Sequence, residues 1–295
     1  MSKQAETLNV ERIREDFPIL EREFDGTQLV YLDNAATSHT PEPVVETITD
    51  YYRTYNANVH RGIHQLSQEA SVAYEEAHDR VAEFIGASGG REEVVFTKNT
   101  TESMNLVAYA WGLNELGPGD EVVLTEMEHH ASLVTWQQIA KRTGAECKYI
   151  PITDEGRLDM EAANELITDD TEMVSVVHVS NTLGTINPVS ELADVAHDHD
   201  AYIFVDGAQS VPNRPVDVEA IDADFRLLGA QNGRAYRDRR PLREASHPGG
   251  DGAVPLRRRD DPEGRLRGLD VERVALEVRG RHARHLPGDR PRGGL

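Results

Sequence analysis

A regular alternation constrains this chain most: short β-branched apolar runs are interleaved with amphipathic segments from residue 93 to residue 206. Strand-like runs at 93–97, 121–125, 146–150, 173–179 and 202–205 alternate with stretches at 100–115, 132–143, 160–167 and 189–198, whose apolar residues recur three and four apart. Buried strands separated by helix-sized segments predict an α/β fold, with a mostly parallel sheet covered by helices on both faces. Upstream, an amphipathic segment at 10–17 precedes Pro18, and a strand-like run at 29–32 leads into Asp33-Asn34-Ala35-Ala36-Thr37. Helical spacing returns at 43–55 and at 67–85, the second opening at Ser67.

Parallel sheets bind ligands beyond the carboxyl ends of their strands, and the polar clusters of this chain fall there: 97–102, 126–132, 179–184 and 206–210. None opens a GxGxxG or P-loop pattern, which disfavours a dinucleotide site or an NTPase. Asn99-Thr100-Thr101-Glu102 joins a strand to a helix and by itself reads as an ordinary N-cap, although its hydroxyls and free N–H groups also suit a phosphate. Asp206 ends an apolar strand, so its carboxylate needs a partner, either the next helix or a ligand cation such as a protonated ring nitrogen. His129 and His130 are adjacent and point apart, so they are poor joint metal ligands and no metal site is expected; one of them could stack on a flat heterocycle. His60-Arg61-Gly62-Ile63-His64 adds a basic, imidazole-rich segment, and Asn181 places an amide at another strand end.

Charge divides the chain in two. Residues 1–225 hold 42 acidic residues against 14 Lys and Arg, whereas 226–295 hold 10 acidic residues against 17 Arg, rich in Gly and Pro and with Tyr236 as the one aromatic. The acidic part is lysine-poor and reads as a salt-adapted protein, and its charge argues against nucleic acid as a partner. A lone Cys147 excludes a disulfide framework and reads as a structural thiol. No apolar run approaches a membrane span and the start carries no export signal, so a cytoplasmic location without membrane association is expected. The basic tail shows no repeat, heptad or strand pattern, predicts a disordered extension, and has a helix as an option at 269–278.

The ordered clusters resemble the class V branch of the fold-type I pyridoxal-phosphate (PLP) enzymes, and within it the cysteine desulfurases of the sulfur-mobilisation, selenocysteine-lyase-like branch. The resemblance rests on Asp16-Phe17-Pro18, Tyr31-Leu32-Asp33-Asn34-Ala35-Ala36, Val59-His60-Arg61-Gly62-Ile63-His64, Thr100-Thr101-Glu102, Met127-Glu128-His129-His130-Ala131, His178-Val179-Ser180-Asn181 and Val205-Asp206-Gly207-Ala208-Gln209. It implies that 1–225 is an incomplete PLP-transferase large domain. It further implies that Asp206 pairs with the pyridinium nitrogen, His129 stacks on the ring, and Thr100 and Thr101 hold the phosphate. Gln209 would bond the ring's phenolic oxygen, with Asn181 near it, and Asn34, Ala35 and His60 would lie on the substrate side. The implied reaction takes L-cysteine to L-alanine and a persulfide that feeds iron–sulfur cluster assembly, in a homodimer that meets sulfur-acceptor and scaffold proteins. Alternatives are another class V enzyme, kynureninase-like or an aminotransferase, or a non-catalytic truncated homologue.

The resemblance breaks where the composition does. Such an enzyme needs a Schiff-base lysine about two dozen residues past the Asp206 motif, and that position falls on Asn232, with Gln231 and Gly229 in place of the expected His and Ser. An amide cannot form an imine. The nucleophilic cysteine and the small domain that carries it are likewise not found in 226–295, and Cys147 does not match that position. Codons exist for 229–243 that, read one base later, encode Ala-His-Lys-Met-Ala-Gly-Pro-Thr-Gly-Ile-Gly-Val-Leu-Tyr, the family's lysine segment and following strand. A frameshift at about Phe225–Arg226 is therefore expected, and a genuine basic extension that binds nucleic acid or an acidic partner is the alternative.

Overall fold

The computed structural model describes residues 9–228 and 274–278. Helix α1 (Val10–Arg14) starts at Asn9, whose side chain accepts from Arg12 N–H. A two-residue hairpin follows, β1 (Glu23–Phe24) against β2 (Thr27–Gln28), turning through Asp25 and Gly26 at positive φ. The strand expected at 29–32 does not form. Val30 and Leu32 are 75% and 87% exposed, so in one chain no neighbouring strand or core gives the run a reason to extend. Helix α2 (Glu42–Asp50) ends in a π turn at Tyr51–Tyr55. Helix α3 (Gln65–Ile85) begins two residues before the expected Ser67, because the His64 ring accepts from Ser67 N–H, and it stops at Gly86 in the left-handed region.

The alternating region forms as the spacing predicts. In chain order it contains β3 (Val94–Thr97), α4 (Thr100–Val107) running through a π turn at Ala108–Gly112 into α5 (Leu113–Glu115), and β4 (Glu121–Thr125). Then come α6 (His130–Thr143), β5 (Glu146–Ile150), α7 (Met160–Leu166), β6 (Thr171–Val177), α8 (Val189–Asp198) and β7 (Tyr202–Asp206). Two elements lack a clear sequence signal, α9 (Val218–Ile221) and β8 (Phe225–Leu228). The last described element, β9 (Val274–Val278), is a strand, which corrects the helix option at 269–278. Apolar residues alternate along Val274, Leu276 and Val278, a period of two that suits a sheet. The rest of the tail lies outside the described residues.

The seven strands run in the order β3-β9-β8-β7-β6-β4-β5. All are parallel except β9, which is antiparallel to both neighbours. One face is covered by α7 and α8 through Ala163, Leu192, Ala193 and Ala196 packed on Val174, Val176 and Ile203. The other is covered by α4 and α6 through Met104, Trp136 and Ile139 on Val122, Leu124 and Phe204. From β4 the chain moves outward to β5, and then returns on the other side of β4 as β6, β7 and β8. This reversal makes the β4–β6 boundary the switch point of the sheet, the place where open α/β sheets bind ligands beyond the carboxyl ends of their strands.

Candidate active site

The parallel direction brings the ends of β4, β6 and β7 side by side, and with them three of the four expected clusters. Asp206 is the last residue of β7, 4% exposed, and its Oδ1 accepts from Ala208 N–H at 2.9 Å. Burial pushes its carboxyl up; the Ala208 N–H and the nearby His129 pull in the opposite direction. Asp206 is thus a costly buried acid with an imidazole beside it, a setting that an arriving cation would stabilise.

His129 stands at the start of α6 and its Nδ1 accepts from Ala131 N–H at 3.1 Å, so the ring is fixed as an N-cap while remaining exposed. Its neighbour His130 sits 6.4 Å away, centroid to centroid, with the rings nearly perpendicular, and so faces elsewhere. Gln209 Nε2 donates to the Ala35 carbonyl at 2.8 Å, tying the 33–37 turn to the loop after Asp206. That turn is also held by Tyr31, whose hydroxyl donates to the Thr37 carbonyl at 2.7 Å. Asn34, Ala35 and Asn181 are exposed at this end, Asn181 just past the Ser180 hydroxyl that accepts from Thr182 and Leu183 N–H.

At the start of α4, Asn99 Oδ1 accepts from Glu102 N–H at 2.9 Å, and the Glu102 carboxylate accepts from the N–H of Lys98, the residue before the cap. The N-cap reading of this segment is therefore realised, and the first-turn N–H groups of Thr100 and Thr101 remain at the open, positive end of the helix. Thr101 is exposed and Thr100 half-buried, available to an anion. His60, at positive φ, pairs instead with Glu75 of α3 at 3.0 Å, and its backbone N–H bonds Ser71. The position of Asn232 lies outside the described residues.

Two groups that sequence reading passed over belong here. Glu128 was legible only as a letter of the Met127–Ala131 motif, yet its carboxyl is buried between β4 and β6. His178 ends up buried past β6 with Nδ1 unpartnered, and burial together with Arg214 and Arg226 pushes it down to about 4. Cys147 is half-buried on β5, its thiol pushed up by burial. Among the described residues no helix is long and apolar enough to cross a membrane.

A doubly covered parallel sheet with a buried acid and a capping histidine at its switch point is the large-domain arrangement of one class of protein. The aminotransferase class-V family model matches residues 30–233, and the chain belongs to that family. Within it the chain is 75% identical over 235 residues to the cysteine desulfurase of Haloferax volcanii, covering 76% of this chain and 55% of that protein. It is 74% identical over 219 residues to a protein of Halobacterium salinarum named probable cysteine desulfurase, covering 74% and 52%. Among solved structures, the apo cysteine desulfurase of Thermococcus onnurineus NA1 superposes with a TM-score of 0.72 at 44% identity, covering 79% of this chain and 56% of that one. The chain spans about half the length of the curated relatives it matches. The likeness to proteins of salt-loving archaea fits the acidic, lysine-poor surface of residues 1–225.

Proposed function

We propose that the described fold is the cofactor-binding part of a PLP-dependent cysteine desulfurase. The observation that carries this reading is Asp206, a buried acid at the end of β7 beside His129, one strand away from the switch point of the sheet. The residues fit the group. Asp206 would hold the ring nitrogen protonated, His129 would lie against the ring, Gln209 would reach the phenolic oxygen, and Thr100 and Thr101 at the start of α4 would take the phosphate. When bound, PLP supplies an electron sink for charge that develops at the substrate Cα. The chain's own residues orient and desolvate: Asp206 fixes the charge at one end, the α4 terminus fixes the phosphate at the other, and Asn34, Ala35 and Asn181 line the open side. His60 is proposed for the substrate side from the family pattern. The family reaction takes L-cysteine and a protein thiol to L-alanine and a protein persulfide, for delivery to iron–sulfur assembly partners by a homodimer in the cytoplasm.

The chain as written is proposed to lack this activity, because Asn232 stands where a Schiff-base lysine is needed. A reading-frame shift near Phe225–Arg226 accounts for that residue and for the change in composition. Arg226 is in keeping with it: a guanidinium 1% exposed in a central strand of the sheet, opposite Val205 of β7. The second reading, a non-catalytic homologue that holds PLP without a covalent link, is favoured by the same Asn232. Three measurements test these readings. The nucleotide sequence across codons 224–233 must restore the lysine segment after a one-base shift, or the frameshift idea fails. Purified protein with PLP and L-cysteine is expected to release no sulfide in proportion to enzyme; release that scales with this protein overturns the inactivity. PLP that remains in the protein after dialysis, with a visible band that borohydride removes, overturns the non-covalent reading.

A further inference from the structure

At the switch point, β4 and β6 part company before they end. Their ladder pairs Glu121 with Thr171, Val122 with Met173 and Val123 with Val174, with a bulge after the first pair, and goes no further. By contrast β4 stays paired with β5 as far as Thr125, and β6 with β7 as far as Val177 opposite Asp206. The β4–β6 ladder therefore ends before either strand does, which leaves Val177 N–H without a ladder partner on β4.

Glu128 fills that gap. Its Oε1 accepts from Val177 N–H at 2.8 Å and from the Thr125 hydroxyl at 2.8 Å, so one oxygen ties the loop after β4 to β6. Thr125 Oγ1 also accepts from Met127 N–H at 3.2 Å, which fixes the loop's first turn. Across the same gap the Ser132 and Ser175 hydroxyls meet at 3.2 Å. Glu128 Oε2 is buried with no hydrogen-bond partner. The residue after Glu128 is His129, and the residue paired with Val177 is Asp206. One side chain thus stands between the two groups that define the site.

We infer that Glu128 is a positioning residue held as a neutral carboxylic acid, which fastens the His129 loop to β6 beside Asp206. This rests on the reading of the site as a PLP pocket. A carboxylate would place a buried charge beside the Asp206 carboxyl in a dry environment, where Thr125, Val177 N–H and Ser132 offset only part of its desolvation. Burial pushes the Glu128 carboxyl up to about 8, Asp206 adds to the rise, and Thr125, Val177 N–H and Ser132 only partly oppose it. The titratable groups at these strand ends are Asp206 from β7, Glu126, His129 and His130 on the loop itself, Glu126 accepting from Ile152 N–H, and His178 past β6, with Arg214 and Arg226 acting on His178.

The test uses the full chain, with Glu128→Gln and Glu128→Ala. The folded pKa lies above the unfolded one, so the native state keeps a proton that the unfolded chain releases. Stability is full below the unfolded value of 4.5 and falls as pH rises to about 8. Urea unfolding without cofactor should therefore show the folding constant of wild type dropping relative to Glu128→Gln by up to about tenfold per pH unit in that window. Parallel profiles for the two proteins above pH 5 overturn the neutral state. Should Glu128→Gln fail to fold, infrared spectra of wild type decide: a protonated-carboxyl stretch present at pH 7 and lost above pH 8 supports the proposal, and its absence at pH 7 overturns it. For positioning, PLP binding at pH 7 by equilibrium dialysis should stay within about twofold of wild type in Glu128→Gln and weaken about tenfold or more in Glu128→Ala. Unchanged binding in Glu128→Ala overturns the positioning role. Wild type that binds no PLP overturns the pocket reading and the positioning role, and leaves the pH profile to decide the charge state.

Discussion

Replacing Asp206 by Asn tests the pocket at its centre. The side chain keeps its size and can still accept from Ala208 N–H, but it can no longer carry the charge that a pyridinium would meet. A hydrogen bond to a charged group is worth about 1.5–3 kcal/mol, and the near-complete burial of Asp206 spares it solvent screening. The expected loss in PLP affinity is therefore roughly 10- to 150-fold. Stability of the unliganded protein should move the other way. Burial raises the Asp206 carboxyl, so wild type loses stability as pH rises above the ordinary aspartate value of 3.8, and Asp206→Asn lacks that slope. The assay is equilibrium dialysis with PLP and with an analogue whose ring nitrogen is replaced by carbon, alongside urea midpoints at several pH values. Wild type should bind the analogue about as weakly as Asp206→Asn binds PLP. Binding of PLP by Asp206→Asn within about twofold of wild type, or equal discrimination against the analogue by both proteins, would refute the pairing of Asp206 with the ring nitrogen.

Burial and the neighbouring arginines push His178 from 6.5 down to about 4, so the native ring stays neutral where the unfolded chain protonates. Stability is intact above pH 6.5 and falls by at most about 3 kcal/mol as pH drops toward 4; a wild-type urea midpoint that does not fall relative to His178→Asn in that window contradicts the burial. Leu276→Pro removes a backbone donor from the strand that pairs with Val95 of β3 and Leu227 of β8, at a cost of about 3 kcal/mol or more, and should strip amide-exchange protection from both neighbours. Unaltered protection in β3 and β8 would mean that β9 does not close the sheet. The thiol of Cys147 is pushed up by burial, so iodoacetamide at pH 8 should alkylate native protein about tenfold more slowly than protein unfolded in urea.

Much of the fold was legible because it is periodic. Every expected strand from 93 onward lies within two residues of an observed one, and the helices at 132–143, 160–167 and 189–198 match α6, α7 and α8 closely. Failures came where periodicity depends on a neighbour. The 29–32 run has strand composition but no sheet beside it, and 274–278 became a strand because β3 and β8 present edges on either side. Of the site, Asp206 was legible as an acid that ends an apolar strand, and Gln209 and Ala35 through the family pattern alone; that Gln209 bonds Ala35 and that His60 pairs with Glu75 of α3 came from the tertiary structure. Glu128 gave no signal, since an acid between Met127 and a histidine pair looks like any solvated loop charge.

The sequence by itself determined the layers, the family pattern and the missing lysine, because apolar spacing, ordered motifs and residue identity are local properties that survive without coordinates. Tertiary structure decided which strand ends meet. Strand order places β6 between β4 and β7, and the early parting of β4 from β6 opens the gap that takes up the Glu128 carboxyl. Burial and the charge of a neighbour set the protonation of Glu128 and Asp206, and both are products of packing between segments far apart in the chain.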